Sequence, residues 1–292
     1  MNEKTNTRCI ACDSTQIRDL RGFEVSQLLK CDMCSHVFQK RIPEESELDQ
    51  LYVYGLNQYR SPITVKRYTE LLDSFEPFRK TNKLLDVGCG AGFFLEIARE
   101  KGWDAYGTER NQQALSIGTK KGIKMYDENW LDEPTSNNLF DVITAFELIE
   151  HIGNPNPLFG QITNALRPGG VVYTTTPNFN AINRYLLRNK WDDVIAYPDH
   201  LSYFSTKSLD ALWESHGLKK IYSLTNGYSV THFRRGMKIS NHQVVTVNSD
   251  DEVIRTAFES NRVLGFIKKV LNYVLSLLGV GESLKSLYVK EG

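Results

Sequence analysis

The sequence predicts an α/β protein in which a doubly wound, parallel sheet is joined to a small cysteine-rich unit. Two observations lead to this fold class. Between residue 83 and about 225, short apolar runs alternate with amphipathic stretches, as strands and helices do when helices cover both faces of one sheet. Four of the five cysteines lie within the first 34 residues as two CxxC pairs. A chain of 292 residues is long enough for one large domain and a small additional module.

The cysteine pairs predict a zinc ribbon over residues 1–42. Cys9 and Cys12 are separated from Cys31 and Cys34 by 18 residues, a spacing typical of structural sites in which four thiolates bind one zinc ion. A unit of this size has too small a core to fold without help, so the metal would supply the missing stability. The alternative is a pair of redox-active dithiols.

Residues 43–82 are predicted to form a helical linker or cap, which begins after Pro43. The apolar and aromatic side chains of this segment recur at roughly helical spacing; they are Leu48, Leu51, Tyr52, Tyr59, Val65, Tyr68, Leu71, Leu72 and Phe75.

The large domain is predicted over residues 83–225. Its strand candidates are KLLDVG, DAYGTE, IKMYD, FDVITAF, VVYTTTP and KKIYSL. Its helix candidates are FFLEIAREKG, NQQALSIGTKKG, NPLFGQITNALRPGG and TKSLDALWESHG, and the last of them has Ser205 or Thr206 as its N-cap. In such sheets ligands bind beyond the carboxyl ends of the strands.

Residues 226–292 are predicted to be a partly helical extension that packs on the core or covers the substrate site. Lysines and an asparagine interrupt the apolar run VLGFIKKVLNYVLSLLGVG, and two glycines close it. The simpler interpretation is a helix packed on the domain. The other is an interfacial helix that contacts a membrane or a lipid-linked substrate.

Charge and N-terminal sequence bear on partners and location. Lys+Arg and Asp+Glu both number 35, so no overall positive field attracts nucleic acid, and a small-molecule substrate is favoured. The sequence has neither an apolar leader nor an apolar run of about 20 residues, which predicts a soluble, cytoplasmic protein. The oligomeric state does not follow from these features.

A glycine-rich turn follows the first strand candidate of the large domain. Its sequence is DVGCGAG, with an acid, Asp86, at the end of the strand and then Gly88, Gly90 and Gly92. The dinucleotide fingerprint G-x-G-x-x-G would place its third glycine where this chain has Phe93. A carboxylate here suits a ligand that carries an ammonium group and would repel a pyrophosphate. Glu109 lies 23 residues after Asp86, where it could accept hydrogen bonds from ribose hydroxyls.

These blocks resemble the class I S-adenosylmethionine-dependent methyltransferases, in particular the branch with a DxGCGxG first motif. The resemblance covers residues 83–217 through LLDVGCGAGFFLEIA, GTE, FDVITAFELIEHI, ALRPGGVVYTTTPN and DHLSYFSTKSL. It implies a Rossmann-like methyltransferase sheet whose cofactor is S-adenosylmethionine. The implied cofactor contacts are Asp86, Gly88, Gly90 and Gly92 at the methionine end, Glu109 at the ribose, Asp127 or Asn129 near the adenine, and Glu147.

Methyl transfer requires a positioned nucleophile that loses a proton. Glu147, Glu150 and His151 follow the fourth strand candidate as E-x-x-E-H, similar to a block that binds a divalent cation in quinone-biosynthesis and small-RNA methyltransferases. They are predicted as a second divalent site, and the alternative is a structural or ligand-contact role. His200 is the candidate general base, with His151 and Glu150 as further catalytic residues. Trp191 and Tyr203 either line the pocket or belong to the core.

The ribbon segment CDMCSHVFQKRIPEESELDQLY resembles the one that precedes many bacterial sugar and surface-polysaccharide methyltransferases. This resemblance implies a hydroxyl of a sugar or glycan precursor as the acceptor. Some ribosomal-RNA methyltransferases also carry such a ribbon, but residues 1–42 hold seven basic and five acidic side chains, which is short of a phosphate-binding surface. The third alternative is a protein that binds the cofactor without turnover.

Overall fold

A computed structural model describes residues 4–44, 47, 61–228 and 262–292 of the chain. Its centre is a seven-stranded sheet in the order β10-β11-β8-β7-β4-β5-β6. The large-domain strands are β4 (Lys83–Val87), β5 (Asp104–Glu109), β6 (Lys124–Asp127), β7 (Phe140–Phe146), β8 (Leu166–Pro177), β10 (Leu218–Asn226) and β11 (Ser283–Lys290). Five neighbouring strands of this sheet, β6, β5, β4, β7 and β8, are parallel. Strand β11 pairs antiparallel with both β8 and β10. The predicted doubly wound α/β fold is confirmed.

Helices cover both faces of this sheet. The helices in the described part of the chain are α1 (Pro62–Phe75), α2 (Phe93–Glu100), α3 (Gln112–Lys120), α4 (Pro155–Ala165), α5 (Ile182–Leu187), α6 (Asp192–Ile195), α7 (Thr206–Ser215) and α8 (Arg262–Leu278). Because neighbouring side chains of a strand point to opposite faces, Leu84 packs with α1 and α2, and Leu85 packs in the core that contains Phe159 of α4 and Trp213 of α7. The central strands β4 and β7 are therefore buried on both faces over nearly their whole length.

Local sequence signals account for most helix ends. Of the two predicted N-cap candidates for α7, Ser205 and Thr206, the structure has Ser205, which forms a capping box with Ser208. One predicted helix is too long: α4 ends at Ala165 and the chain enters β8 at once. Pro168 explains this end, because proline lacks an amide hydrogen and disfavours helical backbone in the residue before it.

The C-terminal segment completes the sheet. After α8, strand β11 inserts between β8 and β10, and its seven pairs with β8 run from Ser283↔Pro177 to Val289↔Val171. This strand was not among the strands predicted from the sequence. Nothing in its local pattern shows that it separates β8 from β10, because that position depends on pairing with strands far away in the chain.

One short strand of the large domain adds to the separate sheet of the cysteine-rich unit. The strands β1 (Ile17–Asp19), β2 (Leu28–Cys31) and β3 (Val37–Gln39) form an antiparallel sheet, and β9 (Ser202–Tyr203) adds to β3 as the fourth strand. Phe38 is fully buried in the same core as Phe159 and Phe204. The ribbon is therefore packed onto the segment that precedes α7.

Part of the predicted linker lies outside the described residues, including Leu48, Leu51, Tyr52 and Tyr59. In the described part, α1 buries Leu72 and Phe75 against the sheet. None of the described helices is both long enough and apolar enough to cross a membrane.

Candidate functional site

The glycine-rich loop turns sharply between β4 and α2. Gly88, Gly90 and Gly92 have φ angles of 68°, 53° and 77°, in the left-handed region that side chains other than glycine rarely adopt. A Cβ atom at Gly88 would lie 2.8 Å from a methyl carbon of Leu148, and one at Gly92 would lie 2.5 Å from Ile123. The three glycines therefore let the backbone follow a path that larger residues would block.

Glu109 ties this loop to the end of β5. One of its carboxylate oxygens accepts a hydrogen bond from the Gly90 amide at 2.8 Å, and the other accepts from the amides of Arg110 and Asn111. A carboxylate has about four acceptor sites, so the oxygen that accepts only from Gly90 can still accept from a ligand hydroxyl. Asp127 is the register partner of Glu109 on β6, and its carboxylate accepts from the backbone and side chain of Asn129. The four predicted contacts at Gly90, Glu109, Asp127 and Asn129 thus follow neighbouring strand ends.

Asp86 is a buried carboxyl group beside this loop. It is 3% exposed and accepts a hydrogen bond of 2.7 Å from the Thr144 hydroxyl. Burial raises the pKa of Asp86 to about 8, an effect that outweighs the Thr144 hydrogen bond and to which the charge of Glu109 adds. Asp86 also lines a cavity with Tyr68 and Phe146. A cationic group in that cavity would stabilise the ionised carboxylate, so the site fits a ligand that carries an ammonium group.

The second part of the site follows β7. Glu147 has a φ of 45°, and its amide donates to the carbonyl of Thr175 on β8. A 3₁₀ turn, Ile149–His151, comes next and buries Glu150, whose carboxylate accepts from the Thr176 hydroxyl at 2.9 Å. Burial, followed by the charge of Glu147, raises the pKa of Glu150 to about 8. The turn thereby directs a buried carboxyl group into the protein, where the Thr176 hydroxyl and the His151 ring are its polar neighbours.

His151 and His200 meet beside Glu150. The ring centroids of the two histidines are 4.9 Å apart, and ligand atoms of Glu150, His151 and His200 all lie within 4.8 Å of one another. Nδ1 of His151 lies 2.9 Å from the carboxylate of Asp199. Burial lowers the pKa of His151, but Asp199 and Glu150 outweigh burial and raise it to about 9. Glu147 is not a member of this three-residue group.

The segment that carries His200 is held between the ribbon and the Glu150 turn. The Leu201 amide donates to the Glu150 carbonyl, and the Gln39 amide on β3 donates to the Leu201 carbonyl. The Gln39 side chain donates to the Tyr203 hydroxyl at 2.7 Å, and that hydroxyl donates to the His200 carbonyl at 3.2 Å. The ribbon therefore contributes directly to the position of His200.

The four ribbon cysteines lie together. The sulfur atoms of Cys9 and Cys34 are 3.5 Å apart, and those of Cys12 and Cys31 are 3.6 Å apart. Tetrahedral zinc with Zn–S bonds of about 2.3 Å requires sulfur–sulfur distances of roughly 3.8 Å. The four thiols therefore fit the donor set of a structural zinc ion.

Two acidic residues at the candidate site were not predicted from the sequence. Asp199 contacts His151, and Asp193 lies with a carboxylate oxygen 3.8 Å from Nδ1 of His200. The acid directly before His200 is a signal that could have pointed to Asp199, whereas Asp193 is brought close only by the fold. Trp191 and Tyr203 are buried in an apolar cluster with Phe179 and are core residues.

Comparison with known proteins identifies the family of the large domain. The model of the family described as "Methyltransferase domain" matches residues 58–223, which include α1, the glycine-rich loop, the Glu150 turn and His200.

Individual relatives match a shorter part of the chain. The ubiquinone biosynthesis O-methyltransferase of Idiomarina loihiensis is 30% identical over 107 residues, 34% of this chain and 43% of that protein. The enzyme of the same name from Bordetella avium is 29% identical over 143 residues, 47% of this chain and 55% of that protein. The match thus spans about half the length of these relatives. A solved structure of a SAM-dependent methyltransferase from Archaeoglobus fulgidus is 16% identical, with a TM-score of 0.52 over 85% of this chain and 100% of that one, and it shares the fold.

Proposed function

Because the chain belongs to the methyltransferase-domain family, whose model matches more than half of its length, we propose that it transfers a methyl group from S-adenosylmethionine to a hydroxyl of a small molecule. One observation carries this proposal. The left-handed glycine loop, the Glu109 carboxylate bonded to it and the buried Asp86 all lie at the carboxyl ends of β4 and β5, where ligands bind in doubly wound sheets.

The cofactor contacts follow from this arrangement. Asp86 would face the ammonium group, the backbone of Gly88, Gly90 and Gly92 would allow close approach at the methionine end, and Glu109 would accept from the ribose. Asp127 at the end of β6 and Asn129 after it would contact the adenine, and Glu147 would lie toward the reacting end. When bound, S-adenosylmethionine supplies an electrophilic methyl group on a sulfonium.

The acceptor hydroxyl has to lose a proton as it attacks, and the Glu150, His151 and His200 group is suited to remove it. His200 is the proposed base. Its ring lies beside His151, and the ribbon holds its backbone through Tyr203. Glu150 and Asp199 flank His151, so His151 orients the group and balances its charge.

The same three residues are also a candidate divalent-cation site, which is the second role proposed for them, with Glu147 next to it. The observation that favours it is the convergence of one carboxylate and two imidazoles within 4.8 Å, a donor set that suits zinc and similar ions. Glu150, His151 and His200 would hold the ion, which would acidify a bound hydroxyl.

Elemental analysis separates the two roles. We expect one zinc per chain from the ribbon cysteines. A second ion that EDTA removes, and that the Glu150→Ala variant lacks, would establish the cation site. One ion per chain, unchanged by Glu150→Ala, would leave the three residues as proton-transfer groups alone.

The proposed acceptor is a hydroxyl of a sugar or an activated glycan precursor, which the resemblance of the ribbon segment supports. A phenolic hydroxyl is the second candidate, because the relatives that match the large domain are named ubiquinone biosynthesis O-methyltransferases. RNA is a weaker candidate, since the ribbon is only slightly basic.

The direct test is methyl transfer from radiolabelled S-adenosylmethionine to a panel of nucleotide sugars, catechols and RNA, with the Asp86→Asn variant as a control. We expect label in one hydroxyl class and none with the variant. Tight cofactor binding without transfer to any acceptor would support a binding protein instead. Calorimetric binding of a nicotinamide cofactor, with none of S-adenosylmethionine, would reject the proposal.

A further inference from the structure

Helix α8 turns its polar side toward the protein. The Asn272 side chain accepts a hydrogen bond from the Gly227 amide at 2.9 Å, and the Ser276 hydroxyl accepts from the Thr225 amide at 3.3 Å. Among the described large apolar side chains of the helix, only Leu275 is buried. A surface helix of a globular protein normally shows the opposite arrangement, with its apolar stripe facing the core.

Most of the apolar side chains of α8 are exposed on the side that points away from the protein, and we call this side the outer face of α8. Phe266 is 68% exposed and Leu277 is 69% exposed. The members of this face are Val263, Phe266, Ile267, Val270, Leu271, Tyr273, Val274, Leu277 and Leu278. At about 100° per residue they occupy an arc of roughly 160°. A continuous apolar surface of this kind indicates an interaction site.

Positive charge borders this face. In the same projection Lys268 and Lys269 fall beyond its two edges, and the sequence from 262 to 278 contains no acidic residue. Long lysine side chains at such positions can extend their ammonium groups toward the headgroups of a bilayer while their stems stay on apolar surface. The helix therefore complements a surface that is apolar inside and negatively charged outside.

We propose that the outer face of α8 docks the protein on an anionic membrane surface, with the helix lying parallel to it. At 17 residues the helix is about 25 Å long, shorter than the roughly 30 Å hydrocarbon core of a bilayer. Its combination of one polar face, one apolar face and flanking lysines is typical of helices that lie in the interface. The flanking lysines favour a lipid surface over a second copy of this neutral chain.

Docking through α8 would also bring the candidate site close to the membrane, because α8 lies near that site. Thr175 of β8 pairs with Lys285 of β11, and its carbonyl accepts from the Glu147 amide. On the next strand, β10, the Thr225 hydroxyl donates to the Leu275 carbonyl of α8. The apolar α5 side chains of Tyr185 and Leu186 are also exposed, and Tyr185 lines a cavity together with Leu278. A docked helix would therefore hold the acceptor side of the site near the membrane. The docking itself does not depend on the proposed methyl transfer.

Vesicle flotation with the full-length chain tests the proposal. The probes are vesicles of phosphatidylcholine alone and vesicles that also contain about 30% phosphatidylglycerol. We expect the chain to float with the anionic vesicles, less so as salt rises. The double variant Phe266→Ser/Leu277→Ser should bind at least about tenfold more weakly, because two apolar side chains no longer enter the interface. Lys269→Gln, which removes one positive charge, should weaken binding about fivefold.

The matched control is Val25→Ser, which removes an apolar side chain that is 85% exposed in the ribbon. It should float like the unmodified chain, and thermal unfolding should show that all variants are folded. If the unmodified chain floats with neither kind of vesicle, the proposal is wrong. A stable dimer of the unmodified chain in analytical ultracentrifugation, absent in the Phe266→Ser/Leu277→Ser variant, would also overturn the proposal. In that case a second copy of the chain would occupy the outer face of α8.

Discussion

Binding of S-adenosylmethionine should release a proton from Asp86. In the ligand-free protein, burial raises the pKa of this carboxyl to about 8 from an ordinary value of 3.8. At pH 6.5 it is therefore more than roughly nine-tenths protonated. An ammonium group in the adjoining cavity favours the ionised form, so each binding event should release close to one proton.

The same linkage fixes the pH dependence of affinity. Below pH 8 only the ionised fraction of Asp86 is ready for the ammonium group, so the affinity should rise roughly tenfold per pH unit up to about pH 8. Above this pH the rise should end, because an α-amino group itself loses its proton at about pH 8. Calorimetry in buffers of different ionisation enthalpy measures the released protons directly.

Two variants complete this experiment. Asp86→Asn should release almost no proton and lose most of the pH dependence. Thr144→Val removes the hydrogen bond that favours ionised Asp86, so it should weaken binding near pH 7 and keep the proton release. Release of less than about 0.3 proton by the unmodified chain, or equal release by Asp86→Asn, would refute the reasoning.

The stability of the ligand-free protein offers an independent check on the same carboxyl group. Because the folded-state pKa of Asp86 is raised, its contribution to the unfolding free energy is complete below about pH 4 and is lost as the pH rises through about 8. The unfolding free energy of the unmodified chain should therefore fall relative to that of Asp86→Asn between pH 4.5 and pH 8. Denaturant titrations of both proteins measure this difference.

Two further predictions concern the acceptor side. His200→Asn should lower kcat by about 10²-fold or more and leave the affinity for S-adenosylmethionine unchanged; loss of both would mean that His200 is structural. Gln39→Leu removes the hydrogen bond from the ribbon to Tyr203, so it should cost about 1–2 kcal/mol of unfolding free energy and lower kcat several-fold without changing cofactor affinity. An unchanged kcat for Gln39→Leu would show that the ribbon does not position His200.

The cofactor side of the site could be proposed from sequence because its signals are local. The spacing of Gly88, Gly90 and Gly92 reflects a backbone path that only glycine follows easily, and the structure has all three at positive φ. Glu109 ends the next strand, and parallel strands bring their carboxyl ends to one edge of the sheet. The cysteine signal was equally local, since the two CxxC pairs are visible in the sequence, and the structure brings all four sulfur atoms together.

The acceptor side could be proposed only in part. Glu150 and His151 are adjacent in sequence, but their approach to His200 depends on β9 pairing with β3 of the ribbon. The structural dependence of His200 on Gln39 links residues more than 160 positions apart through Tyr203. No periodicity or spacing in the sequence encodes a contact of that range.

The sequence by itself determined the elements: apolar runs and amphipathic periods specified most strands and helices, and glycine and cysteine spacing marked two sites. The tertiary structure decided how those elements meet. It placed β11 between β8 and β10, joined the ribbon to β9, and turned the apolar side of α8 outward. The physical reason is that local propensity depends on neighbours in the chain, whereas strand order and the direction of a helix face depend on the total packing of distant segments.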